Sequence, residues 1–309
     1  MALRECLETS PSDDEVRALV SSVAPARAAH VVLGASVFVA AHRAIALALS
    51  ASSRVFVKPS RREPQMTRLL AEAAPELFAI VDEVHPEDGD VVFAYGADET
   101  LDAIVHRLPP SVRFEGHGTG LGVVALDASS MGDPELELAA NAVVRDVVPF
   151  DQRGCLSPRL VLVEGSDIAA RLFSARVAQA LVEAEQRVPR GRLSAGETAE
   201  RVRYRDTMQY AGELFGSSRT GWVGLDVTGG PLLVSPVGRN LHVVVTRDAR
   251  ERLASISSWV TAIGIQGPRR FADRVTTAAP FARTSALGFM QRPPFDGPVD
   301  KRRTRARRP

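Results

Sequence analysis

The 309-residue chain predicts an α/β fold in two lobes, the first a doubly wound parallel sheet and the second a further α/β lobe. Three observations carry this expectation. The β runs are short and apolar almost throughout, as strands covered on both faces are, rather than alternating. Helical patterns separate them, and right-handed crossovers then arrange the runs side by side in parallel. The chain is long enough for two cores, and the alternation restarts after a turn-rich stretch, which sets the lobes at 1–127 and 128–300, with 301–309 a basic, solvated tail.

A capping box opens the first helix, with Ser12 at the N-cap of "SDDE" and Glu15 three residues on. "AHVVLG" (29–34) and "RVFVKPS" (54–60) are β runs, the second ended by Pro59; "VFVAAHRAIALALS" and "EPQMTRLLAEAA" are the helices after them. "AIVDEV" and "DVVFAYG" are further β runs, "ADETLDAIVHRL" is helical, and "SVRFEG" and "GVVALD" complete the first lobe. The second lobe opens on the amphipathic helix "DPELELAANAVVRDVV", followed by the β run "RLVLVEG" and the helix "DIAARLFSARVAQALVEAEQ". A loop and the helix "AERVRYRDTMQYAGELF" lead to β runs "GWVGLDV", "PLLVSP" and "LHVVVT", and then to the helix "RDARERLASISSWV".

Composition excludes several classes. A content of 45% hydrophobic and 24% charged residues is that of an ordinary globular protein. The net charge is +1, but six basic residues lie in the tail "KRRTRARRP", so the body is net acidic and offers nucleic acid no basic field. No apolar run has the length of a membrane span, the N-terminus lacks the form of a signal peptide, and two distant cysteines make no disulfide framework. A cytoplasmic location with reduced thiols is the expectation.

Three stretches carry chemistry. "FEGHGTGLG" (114–122) follows a β run with four glycines, which suits either backbone approach to a phosphate or a tight structural turn. "FVKPSRREP" ends a β run with Lys58 and Ser60 ahead of Arg61 and Arg62; strand ends in such sheets face the ligand crevice, so these groups read as a ribose and 2′-phosphate site or as a solvated basic turn. "PFDQRGCLSPRLVLVEG" (149–165) places Cys155 on a polar turn rather than in an apolar run. Backbone amides on a turn favour a thiolate, Arg153 and Arg159 are the cationic neighbours in sequence, and His117 reaches Cys155 only if the lobes meet there. On these residues alone Cys155 is a nucleophile or an incidental thiol. His30 and His42 read as core or interface positions, and His85, His106 and His242 as surface or element-end positions. No residue spacing reads as a metal site.

These stretches together resemble the acyl-CoA reductases, the branch of the aldehyde dehydrogenase superfamily that includes the fatty acyl reductase of bacterial bioluminescence. The similarity runs in order through "ALALSASSRVFVKPSRREP", "DVVFAYGADETLDAI", "RFEGHGTGLGVVALD", "VPFDQRGCLSPRLVLVEG" and "GFMQRPPFDGPVD". It implies an aldehyde dehydrogenase-like fold, with a Rossmann-type cofactor lobe and an α/β catalytic lobe carrying the nucleophile, shortened at the N-terminus, because only about thirty residues precede the first β run. By position, Cys155 matches the cysteine that carries the acyl intermediate, Lys58 the lysine at the adenosine ribose, and Gly116 the head of the loop beside the pyrophosphate. Ser60, Gly118 and Gly120 fall in the same two cofactor segments. Arg61 stands where NAD-preferring relatives often have Glu, which implies NADPH.

The implied reaction is reduction of an acyl-CoA or acyl-carrier thioester to the aldehyde through Cys155. The segment "ALDASSMGDPELE" carries no "ELGG"-like water-activating Glu, which suits a reductase. Two departures stand beside this. Ala35 occupies the position of an oxyanion-binding Asn, a loss of about 3 kcal/mol of transition-state stabilisation unless Ser36 or a backbone amide substitutes. No Glu near "PLLVSPVGRN" matches the family's ribose-binding Glu. The competing expectation is a catalytically weak, shortened homologue that binds a nucleotide or a protein. A homo-oligomer or an acyl-transferring partner protein completes the expected partners.

Overall fold

The computed structural model describes Cys6 and residues 10–302. The chain forms two compact units, one running to Thr119 and resuming at Pro294, the other spanning Gly120–Pro293.

The first unit holds a five-stranded, all-parallel sheet of β1 (Ala29–Val32), β2 (Val55–Lys58), β3 (Ala79–Ile80), β4 (Val91–Tyr95) and β5 (Arg113–His117). The order is β3-β2-β1-β4-β5, so winding reverses between β1 and β4. The helices are α1 (Asp13–Ser21), α2 (Ala40–Ala51), α3 (Gln65–Ala73) and α4 (Asp98–Val105). The expected capping box of α1 forms, with Ser12 Oγ accepting from Glu15 N and the Glu15 carboxylate accepting from Ser12 N. Alanines on α2 let it lie close on the sheet, where Ala44, Leu47 and Ala48 pack with Val31, Val57 and Phe93. Phe295 joins this core from the far end of the chain. Glu15 Oε1 accepts from Phe295 N at 3.0 Å, and Arg43 donates to the carbonyls of Pro294 and Gly297 at 2.8 and 2.9 Å. These bonds return residues 294–302 to the first unit, against the expected span 128–300 for the second.

The second unit holds seven strands in the order β12-β11-β6-β7-β10-β9-β8. They are β6 (Leu121–Asp127), β7 (Pro158–Glu164), β8 (Glu213–Ser217), β9 (Gly221–Asp226), β10 (Leu241–Thr246), β11 (Val260–Gln266) and β12 (Arg283–Ala286), parallel apart from the antiparallel pair β8-β9 at one edge. β6 pairs with β7 and β11, so "GVVALD" belongs here and the division falls at 119/120 rather than 127. Helices α5 (Asp133–Val147) and α6 (Asp167–Arg187) pack together, and α6 also covers β9. Next come α7 (Ala195–Ala211), α8 (Ala249–Ala254) and α9 (Arg269–Ala278).

Three differences from the expected elements have plain causes. "PLLVSP" forms no strand: it is bounded by Pro231 and Pro236, and the Ser235 hydroxyl bonds the carbonyls of Arg159 and Asn240 instead of entering a ladder. "GELF" leaves the helical pattern to become the edge strand β8. His242 stands next to the start of β10, the element-end position expected, but is buried rather than at a surface, and burial pushes it down to about 4 against the opposing charge of Asp226. The basic tail from residue 303 lies outside the described residues. Among the described residues no helix is long and apolar enough to cross a membrane, and no group of three or more His, Cys, Asp or Glu side chains could hold a metal ion.

Candidate active site

In the first unit the expected cofactor residues stand at the carboxyl ends of the parallel strands. Lys58 ends β2, and Pro59 through Arg61 follow it. Ser60 Oγ accepts from Arg62 N at 3.3 Å, which bends the segment away from the strand, and Arg61 is exposed. At the reversal between β1 and β4 the backbones nearly touch: a Cβ on Gly34 would lie 3.1 Å from the Tyr95 carbonyl oxygen. Gly96, beyond β4, has nothing nearer than 3.7 Å to its open side, and α4 begins two residues on. The reversal of winding between β1 and β4 is where doubly wound sheets take ligands, and a side chain at Gly34 would collide there with the Tyr95 backbone. In the sequence each of these glycines stands directly after an apolar run. Ser36 is exposed in the loop after β1.

The glycine loop has packing reasons for its composition. A Cβ on Gly116 would meet the Phe114 ring at 2.6 Å, and one on Gly118 would meet Asp98 Oδ1 at 2.2 Å. Asp98 Oδ1 also accepts from Thr119 N at 3.0 Å, tying the loop to the start of α4. His117 stacks on Tyr95 with centroids 4.6 Å apart. Burial pushes His117 down to about 4, with Asp300 opposing and Arg302 reinforcing the shift, so the ring is neutral at physiological pH. Arg302 grips the Asp300 carboxylate with two bonds of 2.8 and 2.6 Å and donates to the Thr119 carbonyl at 3.1 Å.

In the second unit the chain reaches Cys155 through a strained turn. Phe150, Asp151 and Gln152 are consecutive non-glycine residues with φ of 54°, 49° and 65°. Left-handed backbone of this kind costs on the order of 1 kcal/mol or more per residue, so the surroundings must impose it. They do so through buried polar groups. Gln152 bonds the backbone of Pro158 and Asn240, and Asp151 accepts from Gly191 N at 2.8 Å and from Arg239 Nε at 2.9 Å. Arg239 is itself almost wholly buried and also pairs with Glu185 at 3.0 Å.

After this the chain turns again over Gly154–Ser157, closed by Ser157 N donating to the Gly154 carbonyl at 3.1 Å. Cys155 occupies the first corner and is partly buried. Ser157 is fully buried; its hydroxyl accepts from Gln291 Nε2, which also donates to the Asp146 carbonyl. The Asp146 carboxylate accepts from Gly288 N at 2.7 Å and Met290 N at 2.9 Å, but burial outweighs these bonds and raises it to about 7. The thiol turn is thereby fastened to the "GFMQ" segment, a link invisible to sequence periodicity.

Both guanidinia expected beside the cysteine bond other groups. Arg153 donates two hydrogen bonds to the Glu197 carboxylate, at 2.8 and 3.2 Å, and holds that carboxyl down at about 2. Arg159 Nε donates to the Ser235 carbonyl at 2.5 Å. Gly120, grouped by sequence with the cofactor loop, lies against Cys155 and Thr261: a Cβ there would be 3.0 Å from Cys155 Cβ.

The chain matches the family described as "Acyl-CoA reductase (LuxC)" over residues 18–297. Comparison with curated proteins finds no match. Solved structures similar to it include an oxidoreductase from Marinobacter aquaeolei (12% identity, TM-score 0.67, covering 85% of this chain and 62% of that one). Others are the aldehyde dehydrogenase KauB from Pseudomonas aeruginosa (16%, 0.66, covering 85% and 61%) and an NAD-dependent aldehyde dehydrogenase from Sinorhizobium meliloti (15%, 0.64, covering 83% and 58%). The fold is therefore aldehyde dehydrogenase-like, and the chain spans about six tenths of the length of these structures.

Proposed function

Because the chain belongs to the acyl-CoA reductase family, we propose that it reduces an acyl thioester to the aldehyde, with Cys155 as the acyl acceptor and NADPH as the reductant. The observation that carries this reading is the Cys155 turn itself. A thiol is set at the corner of a turn whose approach is left-handed at three residues and locked by Gln152 and Asp151. Strain sustained by a buried polar network next to a thiol is what a positioned nucleophile requires.

The thiolate of Cys155 attacks the acyl carbon; the carbon–sulfur bond to CoA, or to a carrier thiol, breaks, and that thiol leaves as the thiolate. A bound nicotinamide cofactor supplies the hydride. With one proton from solvent, the Cys155–acyl bond is then exchanged for the aldehyde, and Cys155 returns as the thiol. In the first unit Lys58, Ser60 and Arg61 are the residues assigned to hold the cofactor, Arg61 toward a 2′-phosphate, and the open side of Gly96 beyond β4 supports the fit. Gly116 and Gly118 shape the loop edge beside it. Ser36 is assigned to the acyl oxygen.

Intact-mass measurement after mixing with an acyl-CoA series is the test. Wild type is expected to gain the acyl mass and lose it on addition of NADPH, with aldehyde formed and the nicotinamide absorbance falling; Cys155→Ala gains nothing. Turnover equal in wild type and Cys155→Ala would sink the reading. Acylation without NADPH oxidation at any chain length would replace reduction by acyl transfer.

A further inference from the structure

Thr261 is fully buried, and its hydroxyl has no hydrogen-bond partner among the described residues. Buried hydroxyls are rarely left so, and a valine would fill the same volume without the penalty. The backbone brings this side chain to its place by an irregularity. Along the β6–β11 ladder Val260 faces Leu121 and Ala262 faces Gly122, so Thr261 is an extra residue, bulged out of the pairing. A bulge re-aims the side chain it carries.

Here the side chain is aimed at Gly120. A Cβ on that glycine would lie 2.0 Å from Thr261 Oγ1 and 3.0 Å from Cys155 Cβ. The hydroxyl and the cysteine thus flank one residue with no side chain to part them. The neighbouring strand is irregular at the same level, because Gly122 faces Pro158 and Val123 faces Leu160, leaving Arg159 unmatched on β7. Both neighbours of β6 distort where it passes the thiol turn, and Gly122 is pressed there against the Ser157 carbonyl.

We propose that Thr261 is a side-chain hydrogen-bond donor to the Cys155 thiolate, an assignment that rests on Cys155 being the reactive thiol. The hydroxyl has one proton to donate and can rotate toward the sulfur; an ionised sulfur accepts it far better than a neutral thiol. No proton is transferred in this contact: the cysteine proton leaves to solvent, the charge stays on sulfur, and threonine keeps its hydrogen. Arg153 and Arg159 are bonded elsewhere, as described, so a hydroxyl takes the part a cation has at many reactive cysteines.

The test follows alkylation of Cys155 by iodoacetamide across a pH series in the full-length protein, read at the Cys155 peptide by mass spectrometry. Thr261→Val is expected to slow alkylation at neutral pH about tenfold, the worth of one hydrogen bond to a charged group, and to move the midpoint of the pH profile upward. Thr261→Ser, which keeps the hydroxyl, is expected to stay near wild type, and Thr261→Ala to follow valine. Thr261→Val should melt no lower than wild type, which separates a donor from a packing residue. Identical rates and midpoints in wild type, valine and alanine variants overturn the proposal. Acyl transfer from acyl-CoA is measured alongside: its absence in wild type, with alkylation still dependent on Thr261, refutes the acyl-acceptor reading alone. Acylation with alkylation indifferent to Thr261 refutes the donor alone.

Discussion

Gln152 and Asn240 hold one another as neighbouring strands do: the Gln152 side-chain amide donates to the Asn240 carbonyl at 2.6 Å and accepts from the Asn240 N–H at 2.7 Å. The same amide nitrogen donates to the Pro158 carbonyl at 2.7 Å. One side chain thus stitches the backbone before the cysteine turn to the start of β7 and to the residue before β10. The left-handed approach to Cys155 is stable because this bonding is complete.

Gln152→Ala removes all three bonds; the Asn240 carbonyl keeps the Ser235 hydroxyl, while the buried Asn240 N–H loses its acceptor. At about 1–3 kcal/mol for such a group, the loss should be roughly 2 kcal/mol. Urea unfolding reads it, and alkylation of Cys155 should lose its site selectivity over Cys6 as the turn relaxes. A loss under about 1 kcal/mol would show that the turn does not depend on this residue.

Two glycine substitutions should differ in a set order. On Gly118 a new methyl meets Asp98 Oδ1, which can swing aside at the expense of its bond to Thr119 N. On Gly122 it would lie 2.4 Å from the Ser157 carbonyl oxygen, which is backbone and has no such freedom. Gly118→Ala is expected to lose about 1–2 kcal/mol and Gly122→Ala more, near or above about 3 kcal/mol. Thermal melts of the two variants check the order.

Asp146 fixes a pH dependence of stability. Burial raises its carboxyl from the ordinary aspartate value of 3.8 to about 7. Between these values the folded protein holds a proton the unfolded chain has released, so stability falls as pH rises through the window, by up to about 1.4 kcal/mol per pH unit. Glu197 acts in the opposite sense: held at about 2 by Arg153, it stabilises above pH 4.5 and loses that contribution as pH falls toward 2. Asp146→Asn should flatten the decline from pH 4 to 7 in denaturant titrations and leave the acid limb unchanged. An undiminished decline in the variant would remove Asp146 as its source.

Arg61 should govern which nicotinamide cofactor is bound. It is exposed in the segment that follows β2 and is proposed to meet the 2′-phosphate. Arg61→Glu is expected to weaken NADPH about tenfold or more, the loss of a charge-assisted bond and the gain of repulsion, while NADH changes little. Fluorescence titration with both cofactors reads the ratio, and an unchanged ratio would unseat the residue.

Much of this architecture was legible in the residues. Apolar β runs with helices between them gave the parallel first sheet, Ser12 and Glu15 gave the cap of α1, and the polar turn around Cys155 marked the thiol as unusual. β11 and β12 escaped notice because "VTAIGIQ" is broken by Gly264, which makes room for Met290, and "RTSA" has no hydrophobic pattern at all. The lobe boundary moved because strand pairing, not local composition, decides which sheet receives β6.

What the sequence by itself determined was local: which segments extend or coil, which strand end carries Lys58 and Arg61, and that a cysteine sits on a turn. Only the tertiary structure decided who stands beside that cysteine. Arg153 and Arg159, its neighbours in sequence, bond Glu197 and Ser235, while Thr261, over a hundred residues away, comes to the far side of Gly120. The reason is physical. Neighbours in sequence at a turn diverge with the backbone, whereas parallel pairing with β6 on either side brings the start of β7 and the bulge of β11 to one level.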